Sequence, residues 1–98
     1  MNTKQAYEEQ VKSRLSELDK QISNLAEQVD KQAGEARQQA QKQLDSLKAQ
    51  REEIARRARA VQEASDAAWE DLRDGLNKAL DSLSQSVDKA FGRFEKAA

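Results

Sequence analysis

The stretch Val11-Lys12-Ser13-Arg14-Leu15-Ser16-Glu17-Leu18-Asp19-Lys20-Gln21-Ile22-Ser23-Asn24-Leu25-Ala26-Glu27-Gln28-Val29 decides the fold class. Its large apolar residues, Val11, Leu15, Leu18, Ile22, Leu25 and Val29, are spaced 4-3-4-3-4. That is the seam of a helix packed lengthwise on another helix. Nothing here or elsewhere in the chain alternates with period two, so strands have no support.

Downstream, the seam continues with a changed step. Leu25, Val29, Ala33 and Ala36 run 4-4-3, as do Ala36, Ala40, Leu44 and Leu47. Such 11-residue steps flatten or reverse a left-handed supercoil. Heptads resume through Arg51, Ile54, Ala58, Val61, Ser65 and Ala68. Two more 11-residue steps follow, through Leu72, Leu76 and Ala79, then Leu83, Val87 and Ala90, with Phe94 four residues later. The two blocks are mirror-placed about residue 57.5. Antiparallel pairing about that centre sets Ala33, Ala36 and Ala40 near Leu83, Leu80 and Leu76, and Leu25 opposite Ala90, so large meets small.

Composition agrees with long helices. Ala, Gln, Glu, Lys, Leu and Arg supply 64 of the 98 residues, and charged residues make up 36% of the chain with a net charge of −1. This profile belongs to coiled coils and exposed helices. No Pro breaks the pattern, and Gly34, Gly75 and Gly92 stand alone. The chain has no His and no Cys. A disulfide scaffold, a Cys/His zinc site and catalysis by His or Cys are thereby excluded. The longest apolar run is Ala67-Ala68-Trp69, whereas a membrane span needs about 20 residues. The polar start, Met1 to Gln5, lacks the apolar stretch of a signal peptide, so a cytoplasmic protein is expected. Asn2 or Thr3 can cap the first helix. Lys89, Arg93 and Lys96 suit the negative end of a last one.

Charge is arranged in blocks. Lys48, Arg51, Arg56, Arg57 and Arg59 against Glu52 and Glu53 give residues 48–59 a net +3, and Glu63, Asp66, Glu70, Asp71 and Asp74 against Arg73 give 63–74 a net −4. Antiparallel packing near residues 58–62 lays these blocks side by side, whereas a parallel dimer sets like beside like. The fold expected is therefore all-α, one unit over 1–98: a long helix crossing a second copy antiparallel. The alternative is a helical hairpin turning near 62–66, with Ser65 or Asp66 capping the second helix.

Asp66, Glu70 and Asp74 share a helix face, and oxygen ligands suit Mg²⁺ or Ca²⁺. A bare helix cannot wrap a cation, so this is read as a solvated acidic face, with no metal and no cofactor expected. The Arg51–Arg59 run is interrupted by acids, so nucleic acid is not expected as a partner. A two-layer coiled coil implies no catalytic pocket, and an enzyme is not expected. The residues proposed to carry association are Trp69, Leu72, Leu76, Leu80, Leu83, Val87, Phe91 and Phe94. With Ala68, Ala79 and Ala90 they form a face wide enough for two helices or a lipid surface.

The segment Ser65-Asp66-Ala67-Ala68-Trp69-Glu70-Asp71-Leu72-Arg73-Asp74-Gly75, followed by Leu80, Phe91 and Phe94, resembles a family of short bacterial coiled-coil stress-response proteins. The opening Ala6-Tyr7-Glu8-Glu9 and Leu15 fit as well. The Ala-Trp-Glu-Asp-Leu-Arg core is the specific part. The family has no catalytic residues to carry over. The resemblance implies a bacterial cytoplasmic helical protein with a stress-linked role. Family members often carry Gly beside the Ser that precedes Ala-Trp; Asp66 stands here and argues against a turn at this point. The expected function is a self-associating, non-enzymatic interaction protein, a homo-oligomer through antiparallel helices, with a further protein partner allowed. The alternative is an amphipathic protein that settles reversibly on lipid or granule surfaces. Few lysines flank the apolar face, so a membrane is the less favoured partner.

Overall fold

The computed structural model describes residues 3–97, with side chains through Phe94. Asn2 as a cap and the Lys96 side chain lie outside the described residues. Three helices follow one another: α1 (Thr3–Asp30), α2 (Gly34–Glu63) and α3 (Trp69–Ala97). No described residue lies in a strand, and the all-α expectation holds. The single continuous helix does not. The chain turns at 31–33 and again at 64–68, the second turn being the hairpin alternative and the first unforeseen. The result is an up-down-up bundle 51 Å long and 19 by 16 Å across.

The reason for three helices lies in the seams. The heptad row on α1 runs Val11, Leu15, Leu18, Ile22, Leu25 and Val29, all buried except part-buried Leu15, with Tyr7 and Ala26 packed beside it. On α2 the row runs Ala40, Leu44, Leu47, Arg51, Ile54, Ala58 and Val61, and on α3 Trp69, Arg73, Leu76, Leu80, Leu83, Val87, Ala90 and Phe94. Each row keeps strict 4-3 spacing, and the phase slips only between helices. Val29 to Ala40 is eleven residues and Val61 to Trp69 is eight. The 11-residue steps read from the sequence are therefore partly turns. Ala33, Ala36, Ala68 and Leu72 belonged to the expected stripe, and all four are exposed. Each helix buries a narrow heptad seam against two others, which is how a small bundle removes its apolar surface from water without a second chain.

The turns have separate causes. At the first, Lys31 and Gln32 donate from their backbone N–H groups to the carbonyls of Gln28 and Val29, three residues back. Gly34 then opens α2 with φ +60°, a conformation costly for any residue with a Cβ. At the second, Ser65 accepts from the backbone N–H of Ala68, at its Oγ (3.2 Å) and its carbonyl (3.1 Å). The Ser65 carbonyl accepts from Trp69 N–H too. Ser65 thus caps the approach to α3, and Asp66 does not prevent the turn.

Contacts across helices fix the pairing. Arg51 occupies a seam position of α2 and reaches out to Asp19 on α1 with two hydrogen bonds, at 2.8 and 3.1 Å. That hydrogen bond holds the Arg51 guanidinium more firmly protonated than usual. Arg14 meets Asp81 at 3.0 Å, joining α1 to α3. Lys4 Nζ donates to the carbonyls of Gln62 (2.9 Å) and Ala64 (2.6 Å). It supplies a positive group at the C-terminal end of α2, whose own last turn has none. Arg57 lies over Gly75, where an added Cβ would stand 3.1 Å from its Nη1.

Two details of the expected pairing are corrected. Ala40 borders the same groove as Arg93 and Phe94, not Leu76, and Leu47 shares one with Ser86 and Lys89. The tight turn at 64–68 sets this offset, so the mirror about 57.5 does not describe pairing within the chain. Nor do the charge blocks pair with each other within the chain. Among the described residues, the Arg56 and Arg57 ion pairs go to Glu53, and that of Arg73 goes to Asp74.

Candidate interaction site

The proposed association residues divide sharply in space. Trp69, Leu76, Leu80, Leu83, Val87 and Phe94 are buried in the bundle's own core, and Phe91 is part-buried. Leu72 alone among them is open, 40% exposed. The wide face expected from Trp69 to Phe94 does meet two helices, but they are α1 and α2 of the same chain rather than those of a second copy, and Leu72 lies off it. Leu72 falls one position before the seam residue Arg73, which rotates it about 100° out of the core. Leu72 and Phe91 are 19 residues apart on α3, about 28 Å along the axis, so they form no patch together.

The first turn of α3 carries the most structured polar cluster. Trp69 is 3% exposed. The Tyr7 ring lies 5.7 Å from it, tilted by 33°, and the Arg73 guanidinium sits 5.5 Å from the indole centroid. Tyr7 donates its phenol hydrogen to Asn77 Oδ1 at 2.7 Å, with the Arg73 carbonyl 3.3 Å away. Tyr7 and Asn77 are the residues that sequence reasoning missed. The available signal was Tyr7 standing four residues before Val11, a 4-4 step at the head of the heptad seam.

Burial pushes the Tyr7 phenol above its usual value, against opposing pulls from Arg73 and Arg14. The folded state therefore holds this proton to a higher pH than the unfolded chain. Its stabilising contribution is complete below about pH 10 and is lost as pH rises through the folded value. Tyr7→Phe should consequently show a shallower loss of stability above about pH 10 than the parent. Urea midpoints measured from neutral pH upward check this; parallel curves for the two proteins would refute the assignment.

Beside this cluster, α1 and α2 leave an open groove of about 480 Å³. Tyr7, Val11, Leu15, Ala58, Val61 and Leu76 line it, and Glu8, Glu9, Lys12 and Arg59 stand around them. It exists because Ala58 occupies a seam position where Ile54 and Leu47 fill the space elsewhere. Asp66, Glu70 and Asp74 are exposed. Among the described residues no group of three or more acidic side chains is placed to hold a metal ion. No described helix is long and apolar enough to cross a membrane.

Comparison with known proteins adds no relative. No family model, curated protein or solved structure matches this chain. The site consists of an aromatic-and-guanidinium cluster sealing one end of the bundle, an apolar groove beside it, and charged helix faces. Such parts suit helix-to-helix contact.

Proposed function

We propose that the chain is a non-enzymatic interaction protein that associates with further copies of itself, and that it serves a stress-linked role in the bacterial cytoplasm. The observation that supports association is surface. The chain exposes 6552 Å², whereas a compact monomer of 11.0 kDa exposes about 5600 Å². The excess belongs to a slender bundle with an open apolar groove, and association is the ordinary way to cover it. The stress-linked role rests on the sequence resemblance alone, whose specific part is the Ala-Trp-Glu-Asp-Leu-Arg core at residues 68–73.

Light scattering over micromolar to millimolar protein tests the association. The mass should rise from 11.0 kDa to a multiple of it. A constant single-chain mass would remove self-association from the reading. For the stress-linked role, cells with and without the chain should differ in survival after heat, acid or osmotic shock, and equal survival under all three would remove it. The rival reading, reversible binding to lipid or granules, requires the bundle to open, because Trp69 faces inward. A blue shift of Trp69 emission on adding anionic vesicles would favour that rival.

A further inference from the structure

We propose that two copies associate by exchanging α1, with the turn at 31–33 straightening so that residues 3–63 become one helix in each copy. This rests on the self-association reading and specifies its geometry.

Four observations carry it. The first is phase. From Val29 to Ala40 is eleven residues, which is 1100° at 100° per residue, only about 20° from whole turns. A straightened helix keeps the α1 and α2 seams on one face. The eight residues from Val61 to Trp69 leave an offset of about 80°, so the second turn has no such property.

The second is the turn's weakness. Ala33 stands at the N-cap of α2 with no side-chain cap bond, and residues 31–39 are exposed apart from half-buried Gln32. Straightening it therefore sacrifices little burial. Lys31, Gln32, Ala33, Glu35, Ala36, Arg37, Gln38 and Gln39 are all competent helix residues, and only Gly34 favours the bend. Short turns of this kind between packed helices invite exchange.

The third is register. Asp19 pairs with Arg51, and Asp30 lies 3.9 Å from Arg37. Both pairs are centred near residue 34. Two straight helices crossing antiparallel about residue 34 reproduce the same pairs between copies, with each contact made twice, as a two-fold axis requires. The fourth is the crossing itself. Ala33, Gly34 and Ala36 are small and lie at that centre, so the two backbones can approach. Each α3 keeps its place against one α1 and one α2.

The test uses Asp19→Cys with Arg51→Cys, the only thiols in a chain that otherwise has none, and a short bismaleimide cross-linker. Gly34→Ala is then added. It removes the residue that tolerates φ +60° and favours a continuous helix, so the dimer dissociation constant should fall about 100-fold or more. The dimer should be linked between chains and should lengthen to about 90 Å by solution scattering. A second variant, with Gly-Ser-Gly-Ser inserted after Ala33, relaxes the turn and should be monomeric and linked within the chain. Exchange is overturned if Gly34→Ala remains monomeric at millimolar concentration. It is equally overturned if a dimer forms whose links are all within chains, an outcome that leaves self-association by another surface standing.

Discussion

Trp69→Ala should lower the unfolding free energy by about 3–5 kcal/mol, the cost of removing a fully packed aromatic ring. Trp69 opens α3 and is covered by Tyr7 and Arg73. Its loss therefore removes contacts to α1 and the cation–π contact together, and leaves a cavity at the end of the bundle. The single tryptophan gives the parallel readout: emission of the parent should be blue-shifted without any lipid and should move red across the urea transition. A loss below about 1 kcal/mol, or a red-shifted native spectrum, would contradict the buried position.

Leu80→Ala is expected to cost about 2–5 kcal/mol, whereas Leu72→Ala and Ala36→Lys should each stay within about 0.5 kcal/mol. The three variants separate two readings of the same sequence. The 11-residue parse places Leu72 and Ala36 in the stripe and steps from Leu76 to Ala79. The heptad seam of the folded chain takes Leu80, 1% exposed, and leaves the other two in solvent. Denaturant midpoints for the set settle the matter. A Leu72 effect as large as that of Leu80 would mean that α3 is rotated from the orientation described.

The seam of α1 was legible from Val11 to Val29, because six large residues held one spacing, but Tyr7 at its head was not read into it. The turn at 31–33 was hidden by its own geometry. An eleven-residue step is nearly in phase with the helix, so the pattern reads straight through it, and Gly34 was the only mark of the break. The turn at 64–68 was foreseen as an alternative through Ser65. The absence of Gly or Pro there obscured it, since the capping hydroxyl does the work that those residues usually do. Parsing Leu72 and Ala79 into the α3 seam followed from carrying the phase across that turn. The phase in fact resets at Trp69.

The candidate site was half legible. Trp69 and the leucines after it were recognised as the apolar heart of the chain. What the sequence left open was whether a second copy or the same chain folded back would cover them. Two antiparallel turns provide that cover. Tyr7 could not be matched to Trp69 without the third helix, because the pair depends on α1 and α3 running parallel, with α2 returning between them.

That up-down-up course leaves the start of α1 and the end of α3 at opposite ends of the bundle. Thr3 begins α1 beside the start of α3, and α3 then runs its 29 residues, about 40 Å, before Ala97. Modules fused to the two ends would be held apart at roughly that distance, making the bundle a stiff spacer. A circular permutant joining them would need a connector of at least about 12 extended residues to span the bundle.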